Sequence, residues 1–135
     1  MAEPAAAVVD THALLFHAAG HRRLGPRARA HLHAAERGQA LVYVPAPVIW
    51  EIGLLARVVR ITLHRPLRVF CEELFSNPAF QPVDLTPAQI YLADEFRFTR
   101  DPFDGLICAV ARDLDLPLLT RDAAIQEAGV VKVVW

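Results

Sequence analysis

The sequence is poor in most of the residues that would announce a chemistry. Its two cysteines, Cys71 and Cys108, show neither a C-x-x-C spacing nor a disulfide-rich pattern, so redox and zinc–thiolate chemistry have no foothold. Cys108 lies inside an apolar run, where a reduced thiol behaves as a small hydrophobe. The single serine, Ser76, sits beside Asn77 and Pro78 in turn-forming company, and no G-x-S-x-G string is present, which removes the usual serine hydrolase arrangement. With six glycines in all, there is no nucleotide-binding glycine motif either. No apolar run approaches the roughly 18 residues that a spanning helix requires. The start, MAEPAAAVVD, has an acid and a proline where a signal peptide would carry basic residues, so a cytoplasmic location away from membranes is expected.

A charge excess is also missing. The formal net charge is −1, so bulk electrostatics do not mark a nucleic-acid binder. Local patches remain: Arg22, Arg23, Arg27 and Arg29 cluster early and Arg57, Arg60, Arg65 and Arg68 in mid-chain. Either group is a solvated face or a path for phosphates.

What is there is apolar. Hydrophobic residues make up 54% and charged ones only 21% of the 135 residues, with a mean hydropathy of +0.28. Two readings fit: Ala-rich, well-buried helices, or apolar surface that meets another chain. The length suits one domain, residues 1–135, that needs no disulfide or metal to fold. No repeat or linker interrupts it.

Along the chain, apolar bursts alternate with amphipathic stretches. AAVVD, ending at Asp10, reads as a strand, and THALLFHAAG as a helix with Leu14, Leu15 and Ala18 at helical spacing. PRARAHLHAAERG places Ala28, Leu32 and Ala35 on one face and closes on Gly38, a helix stop. After the strand Leu41 to Pro45, APVIWEIGLLARVV predicts a helix with a stripe of Val48, Ile52, Leu55 and Val59, bordered by Glu51 and Val58. A helix from Pro66 to about Phe75, a strand in FQPVDL and a helix capped by Thr86 and opened by Pro87 follow. DPFDGLICAVARD is the next helix, LPLLT a strand, RDAAIQEAG a short helix and VVKVVW the last strand. Apolar strands alternating with helices predict an α/β fold, a three-layer α/β/α sandwich around a mainly parallel sheet.

In such a sheet, ligands bind beyond the carboxyl ends of the strands. Asp10 ends the first strand and Asp122 follows a later one, while Asp104 starts a helix that could point to the same edge. Glu51 lies one turn into its helix, at helical spacing from Val48, Leu54 and Leu55, so its carboxylate needs a partner. Taken singly, Asp10, Asp101 and Asp122 can be helix caps or turn residues and Glu51 can pair with an arginine. Arg100 and Arg121 are the nearest basic neighbours. If the acids converge, each pair about 5 Å apart repels by roughly 3 kcal/mol at an effective dielectric of 20. A divalent cation removes that conflict, and all-oxygen donors select Mg²⁺ or Mn²⁺ over zinc.

The strings VVDTHALLF, VIWEIGLL, RDPFDGLICAVA and LPLLTRDAAI, in this order and followed by VVKVVW, resemble PIN domains, and within them the VapC-type toxin ribonucleases of bacterial toxin–antitoxin pairs. The resemblance covers nearly the whole chain. It implies a metal-dependent endoribonuclease with Asp10, Glu51, Asp104 and Asp122 as its catalytic and metal-holding acids. Asp101 becomes a further acid at the rim, and Thr11 and Thr120 match hydroxyl residues that support such sites, with Arg100 and Arg121 as candidate substrate contacts. It also implies an Mg²⁺ or Mn²⁺ cofactor, an RNA substrate, a cognate antitoxin protein and a homodimer. The chain departs from the pattern at Thr99, where relatives often carry histidine, and at Gly105, where they often carry arginine.

Two rivals belong to other classes. A catalytically silent domain would keep the fold and bind only a protein. A phosphoryl-accepting domain would use Asp10 as nucleophile, but D-x-D-x-T is broken there by His12 and leaves Glu51 without a role. Of the six histidines, His12 lies nearest to the acids, with a substrate contact weighed against a solvent-facing or supporting role. His17 and His21 share a helical spacing without an evident third ligand, and His31 and His33 point to different helix faces.

Overall fold

A computed structural model of the chain describes residues 5–135. The opening Met1–Pro4, on which the reading of the chain's start rests, lies outside them. The described residues form five strands and seven helices: β1 (Ala5–Val9), α1 (Thr11–Ala19), α2 (Pro26–Glu36), β2 (Ala40–Pro45), α3 (Ala46–Arg57), α4 (Leu67–Phe75), β3 (Phe80–Val83), α5 (Pro87–Glu95), α6 (Pro102–Asp113), β4 (Leu118–Leu119), α7 (Ala123–Ala128) and β5 (Val133–Val134). All strand pairs are parallel, in the order β3-β2-β1-β4-β5. Crossovers from β1 run one way across the sheet to β2 and β3 and the other way to β4 and β5, so right-handed connections cover both faces with helices. The expected three-layer α/β/α sandwich is the fold that forms.

The strands are apolar because both faces are covered: Val8, Val9, Val42, Val44, Leu118 and Leu119 are wholly buried. Helices contribute Leu14, Leu32, Ile52, Ile107 and Ile125 to the same core. The register sets Val8 and Val9 of β1 beside Leu118 and Leu119 of β4, which locks the ends of the two central strands together.

Helix ends follow local signals. Gly20 (φ +62°) and Gly38 (φ +72°) occupy the left-handed position after α1 and α2. In each case the next residue donates back into the helix, His21 N–H to Phe16 O and Gln39 N–H to Ala34 O, at 2.8 Å. The expected stripe on α3 is cut short by the same motif without its glycine. Val59 N–H bonds Ala56 O and Arg60 N–H bonds Leu55 O at 3.0 Å, with Val59 itself at φ +57°. Val48 and Ile52 are buried and Leu55 partly so, but Val58 and Val59 are 63% and 83% exposed. The apolar period continues past the stop, and no glycine marks it. Ala18, expected on the inner face of α1, is exposed as well.

Candidate functional site

Strands β1 and β4 are neighbours from which the chain departs in opposite directions, the point where a crevice opens in a doubly wound sheet. Asp10 leaves β1, Thr120, Arg121 and Asp122 leave β4, and α3, entered directly from β2, carries Glu51 one turn in. Helix α6 brings its N-terminus to the same edge with Asp101 and Asp104. A cleft of about 300 Å³ results, lined by Asp10, Thr11, His12, Glu51, Asp101, Asp104, Ile107, Arg121 and Asp122. All five acids singled out in the sequence therefore share one cavity. Thr120 is wholly buried at its base against Asp10. Arg100 is exposed and does not line the cleft, so of the two basic neighbours only Arg121 reaches it. Ile107, which sequence reasoning did not single out, was findable from its three-residue spacing after Asp104 on α6.

The capping readings and the shared cleft describe the same residues. Asp10 Oδ1 accepts the Ala13 N–H at 2.8 Å, Asp101 Oδ1 accepts from Phe103 at 2.8 Å, and Asp122 Oδ1 accepts from Ile125 at 3.0 Å. Asp101 and Asp122 each spend one oxygen on a helix start and keep the other, while Asp10 is also bonded by the Thr120 side chain. Two threonines hold the rest in place. The buried Thr11 hydroxyl donates to Glu51 Oε1, which is the partner the glutamate needed in place of an arginine. Thr120 Oγ1 accepts the Asp122 N–H at 3.1 Å, which fixes the turn that presents Asp122.

The negative charge in the cleft is not neutralised by ion pairs. Among the described residues the salt bridges are His17–Glu36 and Arg65–Glu73, both elsewhere. Burial first, and then the repulsion of Asp101, Asp122, Glu51 and Asp10, push the Asp104 carboxyl up to about 7. Asp10 keeps some residue surface, yet burial of its carboxylate raises its pKa against the lowering pull of Thr120, the Ala13 amide and His12. Burial first, and then the charges of Asp104, Asp122 and Asp10, drive the Cys108 thiol up to about 12, which favours its protonated form. As the side chains stand, no three or more His, Cys, Asp or Glu among the described residues close around one ion position. The donor set fits a hard cation all the same: every acid could offer oxygen donors, and Asp101 and Asp122 keep an oxygen outside their caps.

The PIN domain family model matches residues 7–131. The chain belongs to the PIN domain family. No curated protein matches the sequence, but solved structures share the fold of this PIN domain. One is VapBC2 from Rickettsia felis bound to a DNA fragment from its promoter, with a TM-score of 0.68 and 12% identity over 96% of this chain and 97% of that one. A toxin–antitoxin complex from Klebsiella pneumoniae gives 0.64 and 21% over 96% of both chains. FitAcB from Neisseria gonorrhoeae gives 0.61 and 21% over 95% of this chain and 96% of that one. At these identities the likeness is one of fold. At Gly105, where the chain departs from the family pattern, an added Cβ would meet nothing within 4 Å.

Proposed function

We propose that this PIN domain is a metal-dependent endoribonuclease, the VapC-type toxin of a toxin–antitoxin pair. The observation that carries the reading is the gathering of Asp10, Glu51, Asp101, Asp104 and Asp122 in one cleft against only two basic lining residues among the described ones, His12 and Arg121. Asp10, Glu51, Asp104 and Asp122 would hold Mg²⁺ or Mn²⁺. When bound, such an ion supplies Lewis acidity toward a phosphoryl oxygen and makes water a stronger acid. The chain's own residues do the positioning: Thr11 orients Glu51, Thr120 steadies Asp10 and the Asp122 turn, and Asp101 serves mainly as the α6 cap at the rim. Arg121 at the mouth offers a guanidinium to a phosphate.

The toxin–antitoxin complex from Klebsiella pneumoniae among the similar structures supports a cognate antitoxin as partner. Exposed Trp50, Val58, Val59, Ile90 and Tyr91 give the chain apolar surface for that partner and for a second copy of itself. None of the described helices is long and apolar enough to cross a membrane; in this reading residues 1–135 are one cytoplasmic domain.

The test is cleavage of a mixed RNA pool with Mg²⁺ or Mn²⁺, with EDTA, and with the Asp104→Asn variant. Cleavage that needs the cation and is lost in the variant is expected. Equal cleavage by parent and variant overturns the assignment. Failure of the folded parent to bind either cation in a calorimetric titration would instead favour a silent interaction module.

A further inference from the structure

The nuclease reading raises an electrostatic difficulty. A polyanion must approach a cleft lined by five carboxylates on a protein of net charge −1, so cations outside the cleft have to guide it. Arg121 is the first. It lines the cleft and also lies over the Phe16 ring, 5.0 Å from guanidinium carbon to centroid, so α1 holds it by a cation–π contact rather than by an acid.

From Phe16 a ladder of rings leads away from the acids. His12 at the cleft lies 6.2 Å from Phe16, and Phe16 stacks on His21 at 5.0 Å and 26°. Trp135 meets Phe16 edge-on at 6.4 Å. The loop that carries His21 is braced. Arg29 Nη2 donates to Leu24 O at 3.0 Å and Arg22 O at 3.4 Å, and Arg23 N–H donates to His21 Nδ1 at 3.0 Å. That last bond leaves Nε2 as the protonated nitrogen of the neutral ring. Behind the loop, Arg27 N–H bonds Trp135 O at 3.1 Å, and only a glycine fits at Gly25, since a Cβ would come within 2.6 Å of Trp135. The side chains of Arg22, Arg23 and Arg27 face solvent, and no salt bridge among the described residues takes them.

We propose that this strip, from Arg121 across Phe16 and His21 to Arg22 and Arg23, is the track for the single-stranded RNA that flanks the cleavage point. The inference rests on the nuclease reading and deepens it. Phe16 is itself covered by Arg121 and His21 and serves to seat them; the partly exposed His21 ring is the stacking platform, and single strands use such rings beside guanidinium groups, bases stacking on the ring and phosphates meeting the cations. An acidic peptide could satisfy the arginines but would gain little from the ladder, and continuity with the cleft favours the substrate.

The experiment uses the full chain carrying Asp104→Asn, in EDTA, and reads binding of a labelled single-stranded RNA of about twelve nucleotides by fluorescence anisotropy across salt concentrations. Arg22→Glu/Arg23→Glu is compared with Arg60→Glu/Arg68→Glu, which changes the net charge equally on exposed residues that are not part of the strip. The track variant should weaken binding roughly tenfold and flatten the dependence of log K on log salt by about 1.4, the loss of two phosphate contacts. The control pair should change little. His21→Ala should cost roughly fivefold through lost stacking, with circular dichroism confirming that each variant is folded. Equal losses in both double variants, or an unchanged salt slope in the track variant, overturn the track. So does a poly-glutamate peptide that binds the strip as tightly as RNA and is indifferent to His21→Ala. Cleavage by the parent with Mg²⁺ or Mn²⁺ is scored separately: cleavage without a strip effect removes the track alone, while the binding pattern without cleavage removes the nuclease reading and leaves an RNA-binding strip.

Discussion

Replacing Asp104 by Asn should make the metal-free protein more stable, although it removes a residue placed at the centre of the site. Its carboxyl is carried from 3.8 to about 7 by burial and by four neighbouring acids. At 1.36 kcal/mol per pH unit the ionised form would cost at most about 4 kcal/mol. The side chain is only half-buried, and solvent screening reduces that bound to about 1–2 kcal/mol. Asn also forfeits the favourable interaction of an acid with the first turn of α6, about 0.5 kcal/mol. A net gain of about 1 kcal/mol at pH 8 remains, or about 4 °C in Tm for a domain of this size. The sign with pH follows from the raised value. Below pH 3.8 both folded and unfolded states carry the proton and the penalty is absent; between 3.8 and about 7 the unfolded chain ionises first, so stability falls as pH rises. Thermal melts by circular dichroism in EDTA at pH 5 and pH 8 read the effect directly. The parent should lose more stability than the variant between those pH values, and the variant should retain part of the slope because Asp10 is shifted in the same direction. Mg²⁺ at pH 8 should then stabilise the parent more than the variant. A folded variant that melts below the parent at pH 8 in EDTA would refute the reasoning, because the ionised Asp104 would then bear no penalty from burial and neighbouring acids.

Four further outcomes are expected. Asp10→Asn keeps the α1 cap, since Asn caps as well as Asp, and should lose RNA cleavage with an unchanged circular dichroism spectrum; Asp10→Ala, equally uncharged but unable to cap, should be about 1 kcal/mol less stable than Asp10→Asn in urea melts. Val59→Gly should gain about 1 kcal/mol in the same assay, because a β-branched residue at φ +57° bears a left-handed strain that outweighs the entropy glycine gives up. Gly105→Ala should stabilise α6 by about 1 kcal/mol through helix propensity, read as a raised Tm, because the added methyl has open space. Iodoacetamide followed by mass measurement at pH 8 should label the partly exposed Cys71 before Cys108, whose thiol is buried and held up to about 12.

The elements that sequence reasoning located best are those with two agreeing signals. α6 has Asp101 and Pro102 at its start and an apolar run behind them, and α5 has Thr86, Pro87 and the reciprocal Gln89 of a capping box. The end of α3 was illegible for the opposite reason: hydrophobic periodicity runs on to Val59 while the backbone turns left-handed at a residue that rarely does so. The two-residue strands β4 and β5 were recognisable as apolar bursts but not in length, because pairing with β1 and with each other decides where they stop.

The site divides along the same line. Asp10, Asp101 and Asp122 carry a local signal, the helix cap, and that signal explains their placement completely without any reference to function. Convergence is not a local property. It follows from the strand order, which sets the end of β1 beside the end of β4 and turns the starts of α1, α6 and α7 toward one cleft, while α3 supplies Glu51. Capping normally stabilises a helix start at no cost elsewhere, but here the capping aspartates line one cleft, and Asp104, which caps nothing, is carried to a pKa near neutrality by burial and by the repulsion of those acids. A fold stabilised by its caps and destabilised by their meeting point is the state that a divalent cation would relieve. The Asp104→Asn melts therefore test the architecture of the site before any RNA is added.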